Sequence, residues 1–445
     1  MSLRRALYVL LCLGAAILAG CNSGGGVGAK PINTRVRLVN LIPDASSITL
    51  TIDTDAPLVA GVAFEQQTQY LDVTSGTHVF TVSDDSGNQT IIDVTQSLVN
   101  GQDYTLVVFG LVESASSQFE LDSTLSIPQS GTFVTVPNSG TFAVRLGNFA
   151  EGVGSLDLYL TAAGADISVT APLLVNVTLG STSVFATLPM GSYELRLTPT
   201  GTKEVVYDTG VIAFGDQAIV QAIAYSKGSS KLVGIDVLNI DSQGTGQIAP
   251  NLLAQFKLVN ASSVGPPLNV LVDGALTLAN VPFAGVSNYV KTGAGSRVFS
   301  IESSATPGAS LLTFPANLGP ATDTSIVVSG PAGALRALVL TDNNMPSATG
   351  RARVRFVNAS PDLAALDVFI NFALTFTGVL SNSASPYTEL VANVTGSKFN
   401  FAFNIAGTTT PALILPSVTL AAGKTYTVYV VGPGASPQGV VVSDN

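Results

Sequence analysis

Apolar and polar residues alternate with a period of two along this chain, as in Leu156-Asp157-Leu158-Tyr159-Leu160 and in the run that begins at Ile48. That period belongs to a β-strand with one buried face. Other runs, Leu106 to Phe109 and Val428 to Val431, are continuously apolar and predict central strands buried on both sides. Turn-forming residues separate the runs at spacings of about 8 to 12 residues, the rhythm of a sandwich. After the first 20 residues no segment sustains a capped helical period. The pattern predicts an all-β chain.

The runs recur as a long unit. Four β-rich segments end in asparagine: Arg35-Val36-Arg37-Leu38-Val39-Asn40, Val144-Arg145-Leu146-Gly147-Asn148, Phe256-Lys257-Leu258-Val259-Asn260 and Arg353-Val354-Arg355-Phe356-Val357-Asn358. The asparagines are 108, 112 and 98 residues apart, and a second strand starts eight residues after each, at Ile48, Leu156, Leu268 and Leu366. Three copies place a tyrosine 29 or 30 residues after the asparagine (Tyr70, Tyr289, Tyr387), and a glycine before another strand follows in all four (Gly76, Gly191, Gly295, Gly396). Three copies close on an aspartate, Asp122, Asp342 and Asp444; the second copy, the most divergent, offers a looser counterpart near Asp236.

A period this long exceeds a propeller blade or a solenoid coil and predicts self-standing domains. We therefore expect four tandem antiparallel Ig-like β-sandwich domains, in architecture only, because the Cys, Trp, Cys pattern of true immunoglobulin domains is missing. The divisions are residues 34–124, 140–240, 251–345 and 346–445, with linkers at 125–139 and 241–250. A row of independent beads is the simplest layout.

The amino-terminal segment changes the picture. Arg4 and Arg5 precede an apolar stretch from Ala6 to Leu18 that is too short to span a bilayer, and Leu18-Ala19-Gly20-Cys21 follows. This resembles the lipobox of bacterial lipoproteins. The resemblance implies that residues 1–20 are a signal peptide, that the Cys21 sulfur carries diacylglycerol, and that its amino group is acylated. Residues 21–33, rich in glycine, would then be a tether. The expected location is extracytoplasmic and lipid-anchored, at the outer membrane or cell surface, because Asn22 lacks the Asp that favours the inner membrane.

Around the fourth asparagine, the run Arg353 to Asp362 with its Ala359-Ser360-Pro361-Asp362 turn, followed by Leu366-Asp367-Val368-Phe369-Ile370, is similar to the opening of the bacterial DUF4397 family. The first copy keeps Pro43-Asp44. The resemblance implies a secreted or envelope-anchored β-sandwich module, used in tandem, and brings no catalytic residues with it.

Composition narrows the chemistry. The formal net charge is −10 and only 11% of residues are charged, which opposes nucleic acid as a partner. Cys12 and Cys21 are the only cysteines, so no disulfide is expected and no cysteine nucleophile is free. With His78 as the single histidine, zinc ligation has no inventory and a Ser-His-Asp triad has one possible centre, at which a surface or strand-edge histidine without catalytic role is the favoured reading. The acidic groups Asp53 with Asp55, and Asp84-Asp85-Ser86-Gly87-Asn88, read as turn chemistry before calcium sites. The repeated asparagines read as strand-end caps before a ligand row. Tyr70, Tyr289 and Tyr387 are the ligand candidates, an aromatic platform weighed against the corner of a sandwich. No catalytic residue, no metal and no cofactor are assigned beyond the covalent lipid on Cys21. The expectation is a non-enzymatic, lipid-anchored envelope protein whose modules serve binding, adhesion or spacing, with envelope polysaccharide or a surface protein as partner. The alternative is an extracellular carboxylate-dependent hydrolase or polysaccharide-processing factor, seated most plausibly in the second repeat.

Overall fold

A computed structural model describes residues 34–444 except 54–55, 86–88, 123–135, 228–230, 242 and 346. The leader, the lipobox residues Leu18, Ala19 and Gly20, Cys21, and most of the two acidic turns lie outside the described residues. What is described is all-β, with only two short 3-10 turns, and no helix among the described residues is long and apolar enough to cross a membrane.

Each repeat is two small sheets packed face to face. In the first sheet of each repeat the asparagine strand is central (Thr34–Leu41, Thr141–Phe149, Leu253–Ser262 and Arg351–Asn358). On one side it pairs antiparallel with the short segments near the tyrosine position. On the other it pairs parallel with the late apolar strand: Asp103–Phe109, Ile219–Ser226, Asp323–Gly330 or Thr425–Val431. One parallel pair per repeat departs from a purely antiparallel sandwich. It arises because the chain leaves this sheet to build the second and then returns, and such a crossover permits parallel neighbours. A last strand completes the sheet antiparallel to the late strand.

The second sheet is wholly antiparallel, and its centre is the strand that starts beyond the asparagine: Ile48–Ile52, Leu156–Thr161, Leu268–Val272 and Ala365–Ile370. Its inward residues meet those of the first sheet in four separate cores, for instance Val36, Leu38, Leu50, Phe80 and Leu106 in repeat 1.

The repeated asparagine joins the two sheets. Its Oδ1 accepts from the N–H two residues on (Ile42, Ala150, Ser262, Ser360) and so closes the bend that carries the chain across. Its Nδ2 donates to a carbonyl of the second sheet, that of Val62, Val177, Val281 or Val379. All four side chains are buried, so asparagine is required because one planar group must donate to one sheet and accept from the other. The capping role read from the sequence is present and is extended by this inter-sheet bond.

The repeats are not independent beads. Val39, Leu41, Val107 and Phe109 of repeat 1 form one buried cluster with Phe149, Ile223, Tyr225 and Leu238 of repeat 2. Val259, Ala261 and Val327 of repeat 3 cluster in the same way with Val357, Ala359, Tyr429 and Val431 of repeat 4. These residues lie on the outer faces of the first sheets, which is why the asparagine strands read as apolar on both sides. The pairs also touch each other: Thr349 N–H donates to Glu113 (2.7 Å), and Lys291 donates to the Val205 carbonyl (2.8 Å) and pairs with Glu204 (2.9 Å). Repeat 1 thus meets repeats 2 and 4, and repeat 3 meets repeats 2 and 4. The row expected from the sequence is folded back into a closed four-domain block.

Replacing Asn260 by alanine leaves the Val281 carbonyl and the Ser262 N–H without their partner. We expect a loss of about 2–4 kcal/mol, read by native-state hydrogen exchange as lost protection confined to repeats 3 and 4. Protection equal to wild type would show that the asparagine does not hold the sheets together.

Candidate functional site

Three residues before each asparagine stands a cation: Arg37, Arg145, Lys257 or Arg355. Strand alternation points it away from its own core, and because the outer face is covered by the partner repeat, all four cations are buried. An unpaired cation there would cost several kcal/mol. The arrangement of anions around them is therefore the central feature of the interface.

Between repeats 3 and 4 the exchange is reciprocal. Arg355 of repeat 4 pairs through Nη2 with Asp342 of repeat 3 and donates through Nη1 to the carbonyl of Thr341 (3.3 Å). Lys257 of repeat 3 pairs with Asp444 of repeat 4. Hydroxyls in register with the cations complete the network: Ser325, beside Lys257, donates to Asp342 (2.8 Å), and Thr427, beside Arg355, donates to Asp444 (2.6 Å) and accepts from Arg355 Nε (3.0 Å). Two cations meet two carboxylates.

Between repeats 1 and 2 one arm is altered. Arg145 of repeat 2 grips repeat 1 as Arg355 grips repeat 3, with Nη2 on Asp122 (2.7 Å) and Nη1 on the Leu121 carbonyl (3.2 Å). Arg37 of repeat 1 reaches the carbonyl of Asn239 (2.9 Å), the corresponding position in repeat 2, but the next residue there is Ile240. Ile240, and not Asp236, therefore occupies the closing-aspartate position. The strand register agrees, since Gln221 faces Leu238 as Thr105 faces Glu120. Arg37 turns its Nη2 back to Asp122 of its own repeat (3.2 Å), so Asp122 serves both arginines and also accepts from Thr105 and Tyr70. Asp236 sits four residues upstream, fully buried, and neither carboxylate oxygen has a partner. Burial, reinforced by Glu65 and opposed by Arg37, lifts its pKa to about 7.

The three tyrosines belong to this seam. Tyr70 donates to Asp122 (2.8 Å), lies under Arg35 and Arg37 (4.8 and 4.9 Å to the ring centre), and packs so tightly on Gly244, in the segment that follows repeat 2, that a Cβ there would fall 2.3 Å from the ring. Tyr289 donates to Asp342 (2.5 Å) and lies under Lys257, and Tyr387 lies under Arg355. Cation–π contact in a desolvated seam strengthens both partners. In repeat 2 the aromatic under Arg145 is Phe185, which no tyrosine spacing could reveal. The sequence signal for the seam was a cation at a fixed offset in four copies together with a closing aspartate in three; neither names the other as its partner.

The remaining candidates have local roles. His78 bonds Asp53 through Nδ1 (2.8 Å) and the Thr74 carbonyl through Nε2 (2.9 Å), and this bond holds the Asp53 carboxyl below its usual range. Asp85 accepts from Ser47 and Thr49. Among the described residues no three His, Cys, Asp or Glu side chains are grouped to hold a metal. In repeat 2 the Asp208 carboxyl is raised by burial and by Glu194. This carboxyl pair stands where a hydrolase would be sought, but Glu194 is buried and accepts from the N–H of Gly164 (2.6 Å), while its neighbour Arg196 donates to the Ala165 carbonyl (2.8 Å). The segment that supplies those groups lies over them. A cleft of about 290 Å³ between repeats 1, 2 and 4 holds Asp44, Glu113 and Glu151. Asp44 accepts from Val112 within repeat 1, and Glu113 accepts from Thr349 of repeat 4, which joins the two pairs.

Two predictions follow from the seam. Asp342→Ala leaves Arg355 buried without its anion and should cost about 3–5 kcal/mol, whereas the double change Arg355→Met with Asp342→Leu should recover most of that loss; equal unfolding midpoints for the single and double variants would refute it. Asp236, with a folded pKa raised above the ordinary carboxylate value, is protonated at low pH, and above about pH 7 the fold must hold an unpaired anion. Hydrogen exchange across the seam of repeats 1 and 2 should therefore quicken as pH rises from about 4 to 7, after correction for intrinsic exchange. Asp236→Asn should flatten that rise.

Residues 34–159, 254–369 and 352–445 match the family described as Domain of unknown function (DUF4397), leaving most of repeat 2 unmatched. No curated protein matches the sequence. Among solved structures, the Bacillus anthracis TIE protein aligns over 89% of this chain and 69% of its own at 10% identity and a TM-score of 0.17. A family 26 carbohydrate-binding module of Eubacterium rectale Amy13K, solved with maltoheptaose, aligns over 44% of this chain and 92% of its own (14% identity, TM-score 0.15). Family 41 carbohydrate-binding modules from streptococcal virulence factors align over 44% and 95% (12% identity, TM-score 0.17). Scores this low carry no argument about fold or ligand. The family match covers well over half of the residues, including all of the strands that build the seam of repeats 3 and 4, and on that ground the chain belongs to the DUF4397 family.

Proposed function

We propose that this protein is a non-enzymatic, lipid-anchored component of a bacterial cell envelope, in which two interlocked pairs of sandwich domains display binding surfaces away from the membrane. One observation carries the reading: the polar residues that recur from repeat to repeat act within the fold. The asparagines join the sheets, and the cations, closing aspartates and tyrosines join the repeats. Repetition has preserved a scaffold, and variation is left to the outward faces and loops, where recognition residues usually sit on a rigid frame. The lipobox supplies the anchor. Two or three acyl chains on Cys21 hold a protein on a bilayer where one chain releases it, and the net charge of −10 gives no attraction to anionic headgroups.

The anchor is tested on protein isolated from its own membrane. Mass spectrometry of the amino-terminal peptide should show Cys21 as the first residue, carrying diacylglycerol and an N-acyl chain, and Cys21→Ser should abolish both the acyl mass and the cleavage, leaving residues 1–20 attached to an unlipidated chain. An unmodified Cys21 in membrane-bound protein would overturn the assignment.

A further inference from the structure

The outward face of the second sheet differs from repeat to repeat, and in the fourth it is apolar, aromatic and open. Leu374, Phe369, Ala402 and Ile414 lie side by side across its four strands. The matching row is Pro57, Thr51, Thr81 and Asp93 in repeat 1, and Leu276, Leu271, Ser300 and Thr313 in repeat 3. In repeat 2 the face includes the buried Tyr159 and Arg196.

Beside this row the chain turns through Asn371 and Phe372, both with positive φ (47° and 72°). Two-residue turns of this kind favour Asn-Gly or Asp-Gly, and repeat 3 has Asp273-Gly274 at the same place. A phenylalanine there costs about 1–2 kcal/mol against glycine, and Phe372 recovers nothing by burial because it is 88% exposed. A bulky residue held in a strained conformation with its ring in water points to a use outside the fold.

The groups around the ring indicate the ligand. Asn371 Oδ1 accepts from the N–H of Asn400, and Asn400 Oδ1 accepts from the N–H of Ser417. Both side chains are thereby fixed, and among the described residues neither Nδ2 has a partner. Asp367, on the same face, has its two oxygens occupied by the N–H groups of Gly378 and Gly407. Lys398 lies two residues before Asn400, at the border. The face thus offers an exposed aromatic ring, a short apolar row and oriented neutral donors. A sugar ring is complementary to that set, with an apolar C–H face to stack and hydroxyl oxygens to accept. The chain's net charge of −10 disfavours polyanions, and a lipid surface would be served by flanking cations, not by amides.

From this we infer that the outer face of the fourth repeat binds a neutral polysaccharide, with Phe372 and Phe369 stacking on sugar rings and the Asn371 and Asn400 amides donating to their hydroxyls. The inference rests on the reading of the protein as a binding scaffold but is independent of the lipid. The test uses the full chain purified in detergent, in affinity electrophoresis through gels containing starch, β-glucan, galactan or alginate, and in flotation with phosphatidylcholine and phosphatidylglycerol vesicles. We expect retardation by at least one neutral polysaccharide and less by alginate. Phe372→Gly, which suits the turn, should weaken binding by about tenfold or more while leaving the melting temperature equal or higher; Phe372→Trp should retain binding. Retardation by no neutral polysaccharide, binding unchanged in Phe372→Gly, or a Phe372-dependent association with vesicles alone would each overturn the inference, whatever the state of Cys21.

Discussion

A cation buried between two domains demands an anion, and the organisation of this molecule follows from where that anion comes from. Each repeat turns a lysine or arginine away from its own core, onto a face that would be solvated if the repeat stood alone. Docking a second repeat removes that water and makes the pair inseparable from its counter-charge. In repeats 3 and 4 the counter-charge is the partner's closing aspartate, given in both directions. The contact is thus isologous although it lies within one chain, as in a two-fold dimer. Apolar residues alone would hold two such faces together; the paired charges select the register in which they meet, because any slip leaves a buried charge without its partner.

Repeats 1 and 2 show how much departure that arrangement tolerates. With Ile240 in place of the aspartate, Asp122 is shared by two arginines, and Arg37 reaches across the seam to a carbonyl instead of a carboxylate. Asp236 provides a second carboxyl in the same seam but four residues too early to accept a hydrogen bond from either arginine. Both the set of carboxyls and their geometry differ: this seam also carries Glu120, which accepts from Thr182 of repeat 2, and its Asp236 has no partner, whereas both closing aspartates of the other seam are paired with a cation. The divergence of repeat 2 extends to its outer sheet face, which is covered where the other repeats leave theirs exposed.

Scaffold and surface are thereby separated. Most residues that recur face inward, into a core or a seam, and the outward faces vary more, although one turn residue recurs there as well, Asp53, Asp273 and Asn371 each accepting from an N–H of the facing strand. Phe372, beside Asn371 in the strained turn, belongs to the varying positions: it breaks a local rule at a position where the neighbouring repeat obeys it, with no compensating burial. Such sites are where a fold concedes stability to another requirement.

The sequence by itself determined the strands, the four copies and the asparagine cap, because a period of two and a fixed eight-residue offset are local quantities readable from one dimension. It also contained each member of the seam, with Arg37, Arg355 and Asp342 visible as repeated charges and Tyr70, Tyr289 and Tyr387 as repeated rings. Only the tertiary structure decided that these are partners across a domain boundary and not ligands' partners at a surface, since no spacing along the chain states which outer face is covered. The same holds for the closing position of repeat 2, where the sequence pointed to Asp236 and only strand register placed Ile240, four residues on. Phe372 shows the limit most plainly: its neighbours in the sequence describe an ordinary hairpin, while its positive φ and its exposure arise only once the strands on either side are paired.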